Sequence, residues 1–224
     1  MVKITITAFA SVTFNIAARV HADRATELDD VGAVTGLAVN DPAFEKRSTE
    51  LQAAALGSVL CSFMAVEAIL NELYMESDLL PPGTNFKGIP PAIAKALLDS
   101  WNSGADRWPI VTKCHVAAAT FGVAPLDFGN GIAQQFLHLL RLRHALVHHK
   151  PVSVEHGKPV ATSDDKLERD LHKVFDHAEI WKGRGVSFRW AGCMGAGCAR
   201  WAHETSTAFQ AEFFSRLGVA YPRP

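Results

Sequence analysis

The longest uncharged apolar run in the chain is Leu51 to Val66, and in and beyond it Leu56, Val59, Phe63, Val66, Leu70 and Leu73 recur at steps of three and four. Such spacing lays one apolar stripe along a helix. Ser48 or Thr49 is the expected cap, and the helix should run to about Glu76 before Pro81-Pro82-Gly83 stops it. The uncharged stretch is sixteen residues long, short of the roughly 20 that a membrane span requires, so it reads as a core helix. Further helices are expected from Pro90-Pro91 to Trp101, from Trp108 to Thr120, from Gly131 to Lys150, over residues 164–178 from a cap at Ser163, and over 198–217 with Ala202, Phe209, Phe213 and Leu217 on one side. A different period opens the chain. Val2, Ile4, Ile6 and then Val12, Phe14, Ile16 alternate, which predicts a strand or hairpin; residues 20–48 read as a surface connection, and residues 152–160 as a short hairpin about His156-Gly157. The expected fold is mainly all-α, a helical bundle with small β-strand or hairpin additions. Its expected divisions are an N-terminal strand, arm and linker over 1–47, a helical domain over 48–217 and a tail over 218–224.

Composition narrows the class without naming a partner. At 224 residues, 48% hydrophobic and 20% charged, the chain has enough apolar material for a substantial core. A net charge of -1 exerts no bulk pull on nucleic acid or an anionic membrane, so any such contact must come from a local cluster of cations. The stretch 4–18 is uncharged and faintly imitates a signal peptide, but Thr5, Thr7, Ser11, Thr13 and Asn15 interrupt it. Cys61, Cys114, Cys193 and Cys198 are unevenly spaced, which suits reduced thiols in a cytosolic protein rather than a disulfide framework. The four-residue gap between Cys193 and Cys198 has no second pair to complete a zinc site.

Chemistry concentrates in the helix over 131–150. With Ile132 at zero on an ideal helix, Phe136, Leu139, Leu140, Leu146 and Val147 fall within a band of about 120°, and Arg143 sits in its middle. A guanidinium on an apolar stripe requires an answer: an acidic partner such as Glu67, a cleft, a subunit boundary or a bound anion. His144, His148 and His149 lie close by, with Arg141 and Lys150 adding charge. His144 and His148 share a face, yet no further ligand accompanies them, so no metal site is expected. Cations at a helix C-terminus also complement its dipole, which is a sufficient reason for the cluster by itself.

The stretch Arg143-His144-Ala145-Leu146-Val147-His148 fits Arg, polar residue, three residues, His, and resembles the signature of HEPN domains, many of them metal-independent ribonucleases. Upstream, Ala65-Val66-Glu67-Ala68-Ile69-Leu70-Asn71-Glu72-Leu73 is similar to the family's first long helix, where a Glu and an Asn one turn apart face the motif helix. The resemblance spans roughly residues 48–217. It implies an endoribonuclease, in the role of a toxin or defence nuclease, that leaves 2′,3′-cyclic phosphate and 5′-hydroxyl ends without a cofactor. Arg143 and His148 would be catalytic, His144, Glu67 and Asn71 supporting, and Arg141, His149 and Lys150 contacts to RNA. Arg143 and His148 lie about 140° apart on one helix, so a homodimer would bring two motifs together. An antitoxin or nucleotidyltransferase partner is also implied. The alternative is a non-catalytic nucleotide- or RNA-binding or protein-interaction module.

Overall fold

A single long helix contacts most of the others. The computed structural model describes residues 10–79, 86–148, 165–184, 188 and 192–221. In it α2 (Pro42–Leu79) packs against α1 (Ala10–Leu28), α3 (Pro91–Asn102), α4 (Ile110–Thr120), α5 (Gly131–Val147) and α7 (Ala196–Leu217), while a short α6 (Asp165–Leu171) lies on α5. The uncharged stretch of α2 supplies Leu51, Ala55, Val59 and Val66 to the core, and the turns after it supply Ile69, Leu70 and Leu73. By length and composition Pro42–Met75 is apolar enough to cross a membrane, but 56% of its most apolar window is buried inside the fold.

The helices α3, α4, α5 and α7 form close to where the pattern places them. Two expectations fail. Residues 10–28 are helical rather than extended, because the buried positions of α1 are Ser11, Asn15, Ala18, Ala22, Ala25 and Leu28, a helical spacing built from small and polar residues. The alternating Val12, Phe14 and Ile16 are half-buried or exposed there, so their period of two reflects no sheet. Nor does a linker lead to residue 47. After a 3₁₀ turn at Val31–Val34, α2 starts at Pro42, where the Asp41 side chain accepts the Ala43 N–H at 2.8 Å as an N-cap and Glu45 occupies the first turn. Ser48, the expected cap, bonds the Glu45 carbonyl inside the helix.

Among the described residues there is no strand; Lys87 and Ala220 form one isolated antiparallel bridge. The expected strand over 2–6, the cap at Ser163 and the hairpin over 152–160 lie outside the described residues. The helix expected over 164–178 ends at Leu171, and a 3₁₀ turn follows at Glu179–Trp181. The apolar cluster takes in Ala22, Ala25 and Leu28 of α1 together with α2, α5 and α7, so α1 belongs to the main core.

Aromatic stacking joins α5 to α7: Phe136 and Phe209 lie with ring centroids 4.1 Å apart, an arrangement worth about 0.5–1.5 kcal/mol beyond the area it buries. Buried polar pairs fix the register of α1. Glu72 accepts the Ser11 N–H at 3.0 Å and its hydroxyl at 2.6 Å, and Asn15 and Gln210 exchange amide bonds at 3.2 Å. The end of α1 is tied to the start of α7 by Asp29, which accepts the Ala196 N–H at 2.9 Å and the Ile180 N–H at 3.2 Å. Gly195 lets this happen, since a Cβ there would collide with the Ala178 Cβ and come within 2.8 Å of the Asp29 carboxylate.

Candidate functional site

The buried residues of α5 are Ala133, Phe136, Leu139 and Leu142, each three positions on from the last. Every such step rotates the contact by about 60° around the helix, so the seam with the core slants across α5 instead of running along it. A straight stripe therefore misplaces the last turns. Val147, expected within the apolar band, is 48% exposed, and Leu142, outside that band, is buried. Arg143 falls on the flank of the seam and is half-buried.

Its guanidinium lies over the Phe63 ring of α2, 4.9 Å from the centroid. Such a stack satisfies part of the cation's need without neutralising it. Among the described residues no carboxylate stands within ion-pair distance of Arg143; Glu67 does not pair with it. His144 and His148 are both exposed, their rings 4.5 Å apart, and the His148 N–H closes the last turn on the His144 carbonyl at 2.9 Å. Arg143 thus faces α2, whereas the two imidazoles face outward. His149 and Lys150 lie outside the described residues.

Glu67 and Asn71 follow Phe63 at steps of four, so the three share one row of α2. The structure joins that row to a residue the sequence reading passed over. Lys113 of α4 is fully buried; its Nζ donates to Asn71 Oδ1 at 2.7 Å and to the Asp106 carbonyl at 3.2 Å, and lies 5.7 Å from the centre of the Trp101 ring. Burial pulls the Lys113 amine below its ordinary value, and the nearby Glu67 and Asp106 charges oppose that pull. The signal was legible: Lys113 stands between Ile110, Cys114 and Ala117 on the buried side of α4, a cation in an apolar stripe just as Arg143 is. Glu67 is consequently flanked along its row by two cations, Lys113 near one end and Arg143 over Phe63 at the other.

Arg141 is exposed on the opposite side, toward α6, where His138 Nε2 lies 3.7 Å from Asp170 Oδ2. Among the described residues no group of three or more His, Cys, Asp or Glu side chains is placed to hold a metal. Cys193 and Cys198 are buried, and burial pushes Cys193 up to about 12 and Cys198 higher than an ordinary thiol, so neither offers a ready thiolate. Two open clefts, each of about 490 Å³, lie elsewhere: one beside Asp29, His177, Arg200 and Trp201, the other beside Arg24, Glu27, Arg47 and Glu50. Compared with protein-family models, curated proteins and solved structures, the chain matches none.

Proposed function

We propose that this chain is a cytoplasmic, metal-independent endoribonuclease of the HEPN type that works as a homodimer, in the role of a toxin or defence nuclease restrained by an antitoxin or nucleotidyltransferase. The observation that carries the reading is Arg143, a guanidinium half-buried on Phe63 with no carboxylate among the described residues to neutralise it, followed by two solvent-facing histidines one turn apart. A rigid fork left with unspent charge is suited to the non-bridging oxygens of a phosphate.

Cleavage then needs only proton movement and charge. The 2′-oxygen attacks phosphorus as a histidine takes its proton; the bond from phosphorus to the 5′-oxygen breaks as a second acid supplies a proton there. Arg143 stabilises the extra negative charge of the crowded intermediate. His148 is assigned the proton transfer and His144 the second carrier. Because Arg143 and His148 face different sides of α5, the second motif comes from another copy. Exposed apolar side chains for that contact stand on the two helices joined by the Arg143–Phe63 stack: Leu56 and Met64 of α2 are 36% and 40% exposed, and Val147 of α5 is exposed as well.

Incubating the protein with end-labelled RNA in excess EDTA and identifying the new termini tests the reading. Cyclic phosphate and 5′-hydroxyl ends are expected; a confirmed dimer that cuts no RNA would overturn it. In that case the divergence of Arg143 and His148 favours the second reading, a non-catalytic nucleotide- or RNA-binding or protein-interaction module.

A further inference from the structure

The groove between α5 and α6 holds charges that the proposed reaction leaves unused. On α5, His138 and Arg141 are three positions apart. On α6 and the turn after it, Lys166, Asp170 and Lys173 follow at steps of four and three, so they share one side. The two rows meet at His138 and Asp170, 3.7 Å apart, and Arg141, Lys166 and Lys173 all act electrostatically on His138. Asp170 is the carboxylate of this meeting point, and Lys173 already bonds it at 3.3 Å. Of the other acids of α6, Glu168 acts on Cys193. Lys166 and Lys173 thus act on the Asp170 carboxylate, and Arg141 acts on the His138 ring beside it.

All three cations are accessible: Arg141 and Lys166 are exposed, and the Lys173 side chain is 75% exposed. His138 adds no charge to them near neutrality, because burial holds its imidazole below the ordinary value despite Asp170. Location gives the cluster its meaning. Arg141 precedes His148 by seven residues, two turns, so both lie on the same side of α5, about 10 Å apart along the axis. Isolated surface cations are ordinarily just solvated, but these three stand around the His138–Asp170 contact, and His148 lies on the same side of α5 as Arg141.

We infer that the α5–α6 groove binds backbone phosphates of a polynucleotide outside the cleavage site, with Arg141, Lys166 and Lys173 as its contacts and the His138–Asp170 pair as its floor. The choice of RNA as that polynucleotide rests on the proposed function; the charge geometry does not. Contacts of this kind position a strand and carry no sequence information. They also make affinity depend on salt, by about 0.7 in the logarithmic slope for each phosphate contacted on a single strand.

The test compares wild type with an Arg141→Ala, Lys166→Ala, Lys173→Ala triple variant. The probe is a fluorescent 2′-O-methyl RNA of about 20 nucleotides, which has no free 2′-hydroxyl to attack. The expected result is that the slope of log affinity against log salt falls by about 2 in the triple variant, while affinity for a dinucleotide is unchanged. An unchanged slope, or a wild-type protein that does not bind the probe, would overturn the proposal. Cleavage of unmodified RNA, measured in parallel, keeps the two readings apart: cutting with an unchanged slope sinks the groove alone, and a reduced slope without cutting sinks the nuclease alone.

Discussion

Arg143 and Lys113 solve the same problem in opposite ways. Each is a cation on the apolar side of its helix, but Lys113 is enclosed and bonded to Asn71 and the Asp106 carbonyl, whereas Arg143 stacks on Phe63 and keeps its charge available. Replacing Arg143 by Lys preserves charge and loses the planar fork, so cleavage should fall nearly as far as in His148→Ala, about 10²- to 10⁴-fold, with helicity by circular dichroism unchanged. A His148→Ala protein that cuts as fast as wild type would remove His148 from the reaction. For Lys113→Met the effect belongs to folding: Asn71 and the Asp106 carbonyl lose their donor, and the urea midpoint should drop by an amount equivalent to about 1–3 kcal/mol. A variant as stable as wild type would show that desolvating the amine cancels its bonds. Arg143 was conspicuous in the sequence because it interrupts a run of leucines. Lys113 was legible on the same ground, between Ile110, Cys114 and Ala117, but it stands in a shorter helix with no motif around it.

At the scale of elements, hydrophobic period located α2, α5 and α7, whose buried faces include large residues, and bounding prolines and glycines located α3 and α4. It failed for α1, whose buried face is Ser, Asn and Ala; close approach of small side chains and buried polar bonds hold that helix, and neither leaves an apolar signature. The start of α2 was readable as an Asp-Pro cap followed by Glu45, had local cap chemistry been weighed above the polar appearance of residues 20–48. The cap of α7 could not be read locally, because its acceptor, Asp29, is remote in sequence. Two outcomes follow from that cap. Gly195→Ala forces a Cβ into Ala178 and Asp29, and should destabilise the fold by about 1–3 kcal/mol in chemical denaturation; an unchanged midpoint would mean the segment shifts without cost. The second concerns acid. Burial raises the Asp29 carboxyl above its ordinary value despite the Ala196 and Ile180 N–H groups that favour the anion, so the folded state holds this proton more tightly than the unfolded chain does. Its contribution to stability is therefore fully present below the unfolded value and is lost as pH rises through the folded one. Denaturation midpoints of Asp29→Asn against wild type, taken from about pH 3 to 6, should isolate that decline; parallel curves would exclude it.

For the whole molecule, the decisive quantity is the number of chains. Leu56, Met64 and Val147 are exposed apolar side chains on the two helices that meet at Arg143 and Phe63, and a symmetric contact through them would set two motifs against each other. Light scattering should give the mass of two chains at micromolar concentration, and Met64→Asp should return one chain and abolish cleavage together; a single-chain wild type that still cuts RNA would refute the composite site. The slanted seam of α5 carries a last consequence. Ala133 to Leu142 are clamped along it, but beyond Leu142 the helix leaves the core, and among the described residues its anchors are the Phe63 stack and the half-buried Leu146. Local opening there costs little of the global unfolding free energy, so amide hydrogens at the end of α5 should exchange with solvent well before those between Phe136 and Leu142. The helical turn bearing His144 and His148 is thus the part of α5 that a docking strand or subunit orders most.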